Sequence, residues 1–189
     1  MQKKFDWLKK QSDALRILDE TPVNSKLCDG ASILFLGQSY ILKITQTAAE
    51  YGVKQCGKTI LVSIPANPSG ELDCALILEG WYKETAADIL IEKTNYWSHR
   101  LGVNPAKINI KNQRTRWGSC SNRGSINYNW KIVMAPPEVI NYLVIHELAH
   151  LIVPNHSEKF WKVVEKYCHN FKSSRNWLRV NGQLLMRFP

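Results

Sequence analysis

The sequence predicts an α+β fold with a small β-rich N-terminal lobe, on three observations. Short β-branched runs separated by turn residues occupy residues 32–64. A long amphipathic pattern over 71–99 and a nearly all-apolar one over 137–152 have helical spacing. Between them, apolar and polar residues alternate from Ser125 to Met134. The length of 189 residues allows one generous domain, or one domain with an appended lobe. A content of 44% hydrophobic and 22% charged residues excludes disordered and collagen-like chains.

The elements follow in order. Residues 3–20 place Phe5, Leu8, Leu15 and Leu18 at amphipathic helical spacing, and Thr21-Pro22 stops that helix. Residues 32–35 and 40–44 flank a turn at Gly37, and 59–64 is a β-branched run that stops at Pro65. Asn67-Pro68-Ser69-Gly70 is a break. It gives the expected division: an N-terminal helix and β-rich lobe over 1–70, and a second domain over 71–189. The helix from about 71 to 99 closes at Gly102 and Pro105. Residues 107–112 alternate as a strand. Residues 116–121 and 125–134, joined by the Asn122-Arg123-Gly124 turn, are expected to form a hairpin. Pro136-Pro137-Glu138 opens a helix well: proline suits its first turn and glutamate complements its dipole. That helix is apolar nearly all round, so it should be central and buried, and Val153-Pro154-Asn155 ends it. Ser157 is the expected N-cap of a last helix carrying Phe160, Trp161, Val164 and Tyr167.

Composition bounds the compartment and partners. No apolar run approaches the ~18 residues of a membrane span. Charges recur through Arg16, where a signal peptide would be continuously apolar. Cys28, Cys56, Cys74, Cys120 and Cys168 are odd in number and form no Cys-x-x-Cys pair, which fits reduced thiols. A cytoplasmic protein without a membrane partner is expected. Residues 1–95 hold 11 Lys/Arg against 12 Asp/Glu, whereas 96–189 hold 14 against 4 Glu and no Asp. The basic half serves solubility, or meets an anionic partner such as a nucleotide or nucleic acid.

On the apolar helix stands His146-Glu147-Leu148-Ala149-His150. Residues four apart lie one turn apart on one face, so the two imidazoles can share a metal ion. Glu147 lies about 100° round from His146 and can reach a water on that metal without being a ligand. A buried carboxylate needs a partner, and a divalent cation supplies one. Catalytic zinc takes three protein ligands. His156 is the expected third, because Pro154 stops the helix and lets the chain return; Glu165 is its rival. The spacing of His146, His150 and His156 equals that of metzincins, but Val153 stands where those have glycine, so the turn must be built differently. His99 and His169 lie outside the motif. Arg116 could clamp a carboxylate or phosphate, or satisfy loop carbonyls. Asn127 and Asn129 share one strand face and could bind substrate or be solvated. If their strand is an edge, a peptide could pair with it. Trp130 and Trp161 fall on apolar faces and are expected in the core.

Several linked strings resemble the YgjP-like metal-dependent hydrolases. They are Arg116-Trp117-Gly118-Ser119-Cys120, Asn127-x-Asn129-Trp130, Ala135-Pro136-Pro137, His146-Glu147-Leu148-Ala149-His150 and Asn155-His156-Ser157-x-x-Phe160-Trp161. The likeness is dense over about 75–182 and looser over 30–75, where Phe35-Leu36-Gly37-x-x-Tyr40 and Trp81-Tyr82 still fit. That family is zincin-like and, more distantly, similar to the SprT-like proteases that act around DNA. The resemblance implies a zincin-like metallopeptidase core over 71–189, with one zinc per chain on His146, His150 and His156 and Glu147 as general base. A peptide or protein substrate is the first expectation. The alternatives are a nucleoside triphosphate pyrophosphohydrolase, on the basic half and Arg116, and a DNA-associated binding module with a vestigial metal site.

Overall fold

In the computed structural model, the described residues are 27–47, 51–65 and 74–188. The helix expected over 3–20 lies outside them. The chain divides into two compact units. One holds the described residues up to Trp81 with Arg187 and Phe188; the other runs from Tyr82 to Met186.

The first unit carries a four-stranded sheet of β1 (Ser32–Phe35), β2 (Gln38–Thr47), β3 (Gly52–Cys56) and β4 (Thr59–Pro65). The strand order is β1-β2-β4-β3, with β2 and β4 parallel and the outer pairs antiparallel. The turn at Leu36-Gly37 has φ of 50° and 71°. Positive φ at both central residues is the type I′ geometry that matches strand twist, and it sets Phe35 opposite Gln38. Ile33, Phe35, Tyr40, Leu42, Ile60 and Val62 form the buried face. Strand β3 has no counterpart in the sequence reading: its Lys54, Gln55 and Cys56 are exposed, so no apolar period marks it.

Helix α1 (Cys74–Leu101) ends in a Schellman motif. Val103 N–H donates to the Ser98 carbonyl and Gly102 N–H to that of His99, with Gly102 at φ 69°. In the second unit β5 (Lys107–Lys111), β6 (Gly118–Cys120) and β7 (Ser125–Asn129) form a sheet in the order β5-β7-β6. Strand β7 is therefore central, parallel to β5 and antiparallel to β6, and no peptide can pair with it as an edge. The β6–β7 hairpin matches the expectation, but its second strand ends five residues early. Trp130–Met134 is a 3-10 helix, capped by the Asn129 carboxamide, which accepts from Lys131 N–H. Every residue of that helix is buried, Lys131 included; its Nζ donates to the Met186 carbonyl at 2.9 Å.

Helix α2 (Pro137–Ala149) opens at Pro137 as expected. It packs against α3 (Glu158–Tyr167) and α4 (Phe171–Met186) around Tyr142, Ile145, Ala149, Phe160, Val164 and Phe171. Helix α1 is tied to β7 by Thr94, whose hydroxyl donates to that of Tyr128 at 3.1 Å, and to the 3-10 helix by the Tyr82–Trp130 ring pair at 5.7 Å. Ser157 stands at the N-cap of α3 without a side-chain cap bond; Asn155 Oδ1 instead accepts from the Ser157 N–H. No helix of the described residues is long and apolar enough to cross a membrane. Cys28, Cys56, Cys120 and Cys168 are free thiols.

Candidate metal centre

The end of one helix and the loop after it bring the histidines together. His146 lies in the last turn of α2, His150 caps its C-terminus, and His156 comes from the loop before α3. The turn between them is built without glycine. The Val153 N–H donates back to the Ala149 carbonyl at 2.9 Å, and Pro154 prevents the helix from going on. One ring nitrogen from each of the three histidines lies within 4.8 Å of the others. Among the described residues, Glu165, His99 and His169 are exposed and stand outside this group.

The donor set fits a small divalent ion. His146 Nε2 and His156 Nε2 are 3.1 Å apart. Zinc–imidazole bonds of about 2.0–2.1 Å in a tetrahedron put neighbouring nitrogens ~3.3 Å apart. His150 Nδ1 faces the Val153 carbonyl at 3.3 Å. A carbonyl only accepts, so Nδ1 carries the proton and Nε2 keeps its lone pair. Burial, and then His150, His156 and Arg175, hold the His146 imidazole down at about 3. Burial and then His156 also lower His150. Both are thereby kept neutral, the form that binds a metal.

Ring packing orients the three imidazoles. Phe160 is fully buried and lies under all three imidazoles, its centroid 4.9, 4.5 and 4.8 Å from those of His146, His150 and His156. His146 Nδ1 is buried and meets no acceptor among the described residues. Its ring is instead wedged between Phe160 and Tyr142, the latter at 5.7 Å. Trp161 stacks on His156 at 5.7 Å and carries the Arg175 guanidinium at 4.8 Å. The expected core role of Trp130 holds, whereas Trp161 is half-buried against the histidines.

Glu147 is 4% exposed, and burial pushes its carboxyl up to about 8. It lies against β6 at Gly118. A Cβ at Gly118 would stand 2.8 Å from Glu147 Cδ and closer still to Oε1. The preceding Trp117 fits against Gly182 of α4, where a Cβ would come within 3.0 Å of its indole Nε1. The Trp117-Gly118 pair thus places β6 over the carboxyl, a role not readable from the sequence. Gly118 does not have a positive φ, so Gly118→Ala tests contact alone. It is expected to lower stability by roughly 1–3 kcal/mol, the cost of overpacking. Denaturant titration reads this as a lower midpoint at unchanged slope; an unchanged midpoint would mean that the approach of β6 to Glu147 is loose.

The remaining expected site residues separate. Asn129 is 0% exposed, and its Nδ2 donates to the carbonyls of Gln113 and Arg116 at 2.7 and 3.2 Å. This corrects its reading as a substrate-facing or solvated residue: its amide is used in tying the 113–117 loop to the sheet. Asn127 is half-buried, accepts from Asn109 Nδ2 and donates to Ser119 Oγ, both at 3.1 Å, and so cross-links the three strands. Arg116 is exposed on the loop before β6, and the loop carbonyls are met by Asn129.

A family model described as YgjP-like, metallopeptidase domain, matches residues 1–181. Among solved structures, the chain is similar to the metallopeptidase zymogen of Pyrococcus abyssi abylysin, with 26% identity, 52% of this chain and 94% of that chain covered, and a TM-score of 0.42. No curated protein matches the chain.

Proposed function

The chain belongs to the YgjP-like metallopeptidase family, and from that premise we propose that it hydrolyses peptide bonds with one zinc ion held by His146, His150 and His156 and with Glu147 as general base. The observation that carries this reading is the convergence of three imidazole nitrogens within 4.8 Å at the end of the helix that bears a buried Glu147. When bound there, zinc supplies Lewis acidity, polarising the scissile carbonyl and making water nucleophilic near neutral pH.

The chain's own residues do the rest. The charged form of Glu147 is favoured, against the effect of burial, by a cation held by the three histidines. The carboxylate then takes a proton from the attacking water and passes it to the leaving nitrogen. Its confinement under Gly118 limits the rotamers available, so the carboxyl is oriented before substrate arrives. The Val153 carbonyl fixes the His150 tautomer, and Phe160 holds the three rings in one arrangement.

A panel of unstructured peptides, casein, nucleoside triphosphates and DNA, each with and without chelator, tests the proposal. Peptide or casein cleavage that chelator abolishes and added zinc restores is the expected result. Triphosphate hydrolysis with peptides left intact would replace this reading by the nucleotide one.

A further inference from the structure

A cleft of about 400 Å³ opens beside His150, between the β6–β7 turn and the loop that follows α1. Clefts for small ligands run from roughly 300 to 1,000 Å³, so this one has room for one or two residues of an extended peptide. Val103, Leu151 and Pro154 give it apolar walls, and Ser121 and Asn122 add uncharged hydrogen-bonding groups. None of its lining residues is Lys, Arg, Asp or Glu, in a half of the chain that carries 14 basic residues. Arg123 is at the same turn, yet it is exposed and does not line the cleft.

Resting on the peptidase reading, we infer that this cleft receives the substrate residue next to the scissile bond and selects an uncharged side chain there. A charged side chain entering it would give up water and find no counter-charge among the lining residues, which is costly in a partly enclosed site. An uncharged one gains contact with the three apolar walls, and the peptide groups beside it meet Ser121 and Asn122. His150 fixes the position of the cleft relative to the reacting bond, because the same residue lines the cleft and belongs to the histidine group.

The test uses the zinc-loaded full chain and peptides of about eight residues that differ at one central position: Ala, Leu, Asn, Lys or Glu. Products are identified by mass, and binding to the Glu147→Gln variant is measured separately by fluorescence anisotropy. The uncharged peptides are expected to be cleaved next to the varied residue, and bound, roughly tenfold or more better than the charged ones. Asn122→Asp should then raise the Lys peptide, and Asn122→Lys the Glu peptide, by a similar factor in both assays. Cleavage indifferent to charge, or no shift in either Asn122 variant, would overturn this inference and leave the peptidase reading intact. No cleavage of any peptide together with no binding would overturn both.

Discussion

Glu147→Gln is expected to keep its metal and lose hydrolysis by a factor of roughly 10² to 10⁴, the scale of a general acid–base contribution. The glutamine side chain has nearly the same shape, so it should fit the space that Gly118 leaves for the carboxyl. It cannot accept a proton at any working pH, and it carries no negative charge. The imidazoles of His146, His150 and His156 are held by their own contacts with Phe160 and with the Val153 carbonyl, so the metal content should stay at the wild-type level. Elemental analysis and turnover on a fluorogenic peptide, measured on one preparation, separate the two effects. Near-normal turnover would remove Glu147 from the role of base. Loss of metal alongside loss of turnover would mean that the carboxyl supports the ligands rather than the proton transfer.

Much of this site was legible in the sequence because its chemistry is local. His146, Glu147 and His150 lie within one helical turn, and Pro154 forces the return that brings in His156. What was not legible depends on partners distant in the chain. The alternation from Ser125 to Met134 has the period of a strand. A strand reading nevertheless fails after Asn129, because Lys131 is buried against a carbonyl at Met186, 55 residues away. Helix α4 leaves no clear period in the sequence: Lys172, Arg175, Asn176 and Arg179 make its exposed face so polar that its few buried apolar anchors, Phe171, Trp177 and Leu185, do not stand out. Gly118 falls inside an expected strand, and only the approach of Glu147 shows why a side chain is excluded there. Asn129 looked outward by strand parity, but its carboxamide is spent on a cap and on two loop carbonyls. Period and parity locate a side chain on its own element; they do not say what another element has placed opposite.

Replacing His146 and His150 together by Ala is expected to abolish both metal binding and hydrolysis. Wild type should carry one zinc per chain and the double variant none, because a single remaining imidazole, the exposed His156, cannot hold a divalent ion against water. Stability gives a second readout that needs no substrate. A ligand that binds only the folded state stabilises it by RT ln(1 + [L]/Kd), about 4 kcal/mol at a thousandfold excess over Kd. For a chain of this size that raises the unfolding temperature by roughly 10 °C. The metal-free wild type should therefore gain on that scale when zinc is added, and the double variant should gain nothing. Its own baseline is expected to fall modestly, since removing two rings from above the fully buried Phe160 opens space that the aromatic cluster fills only in part. Equal zinc-induced shifts in both proteins would place the metal elsewhere in the chain, and Glu147 would then have no ion to work beside.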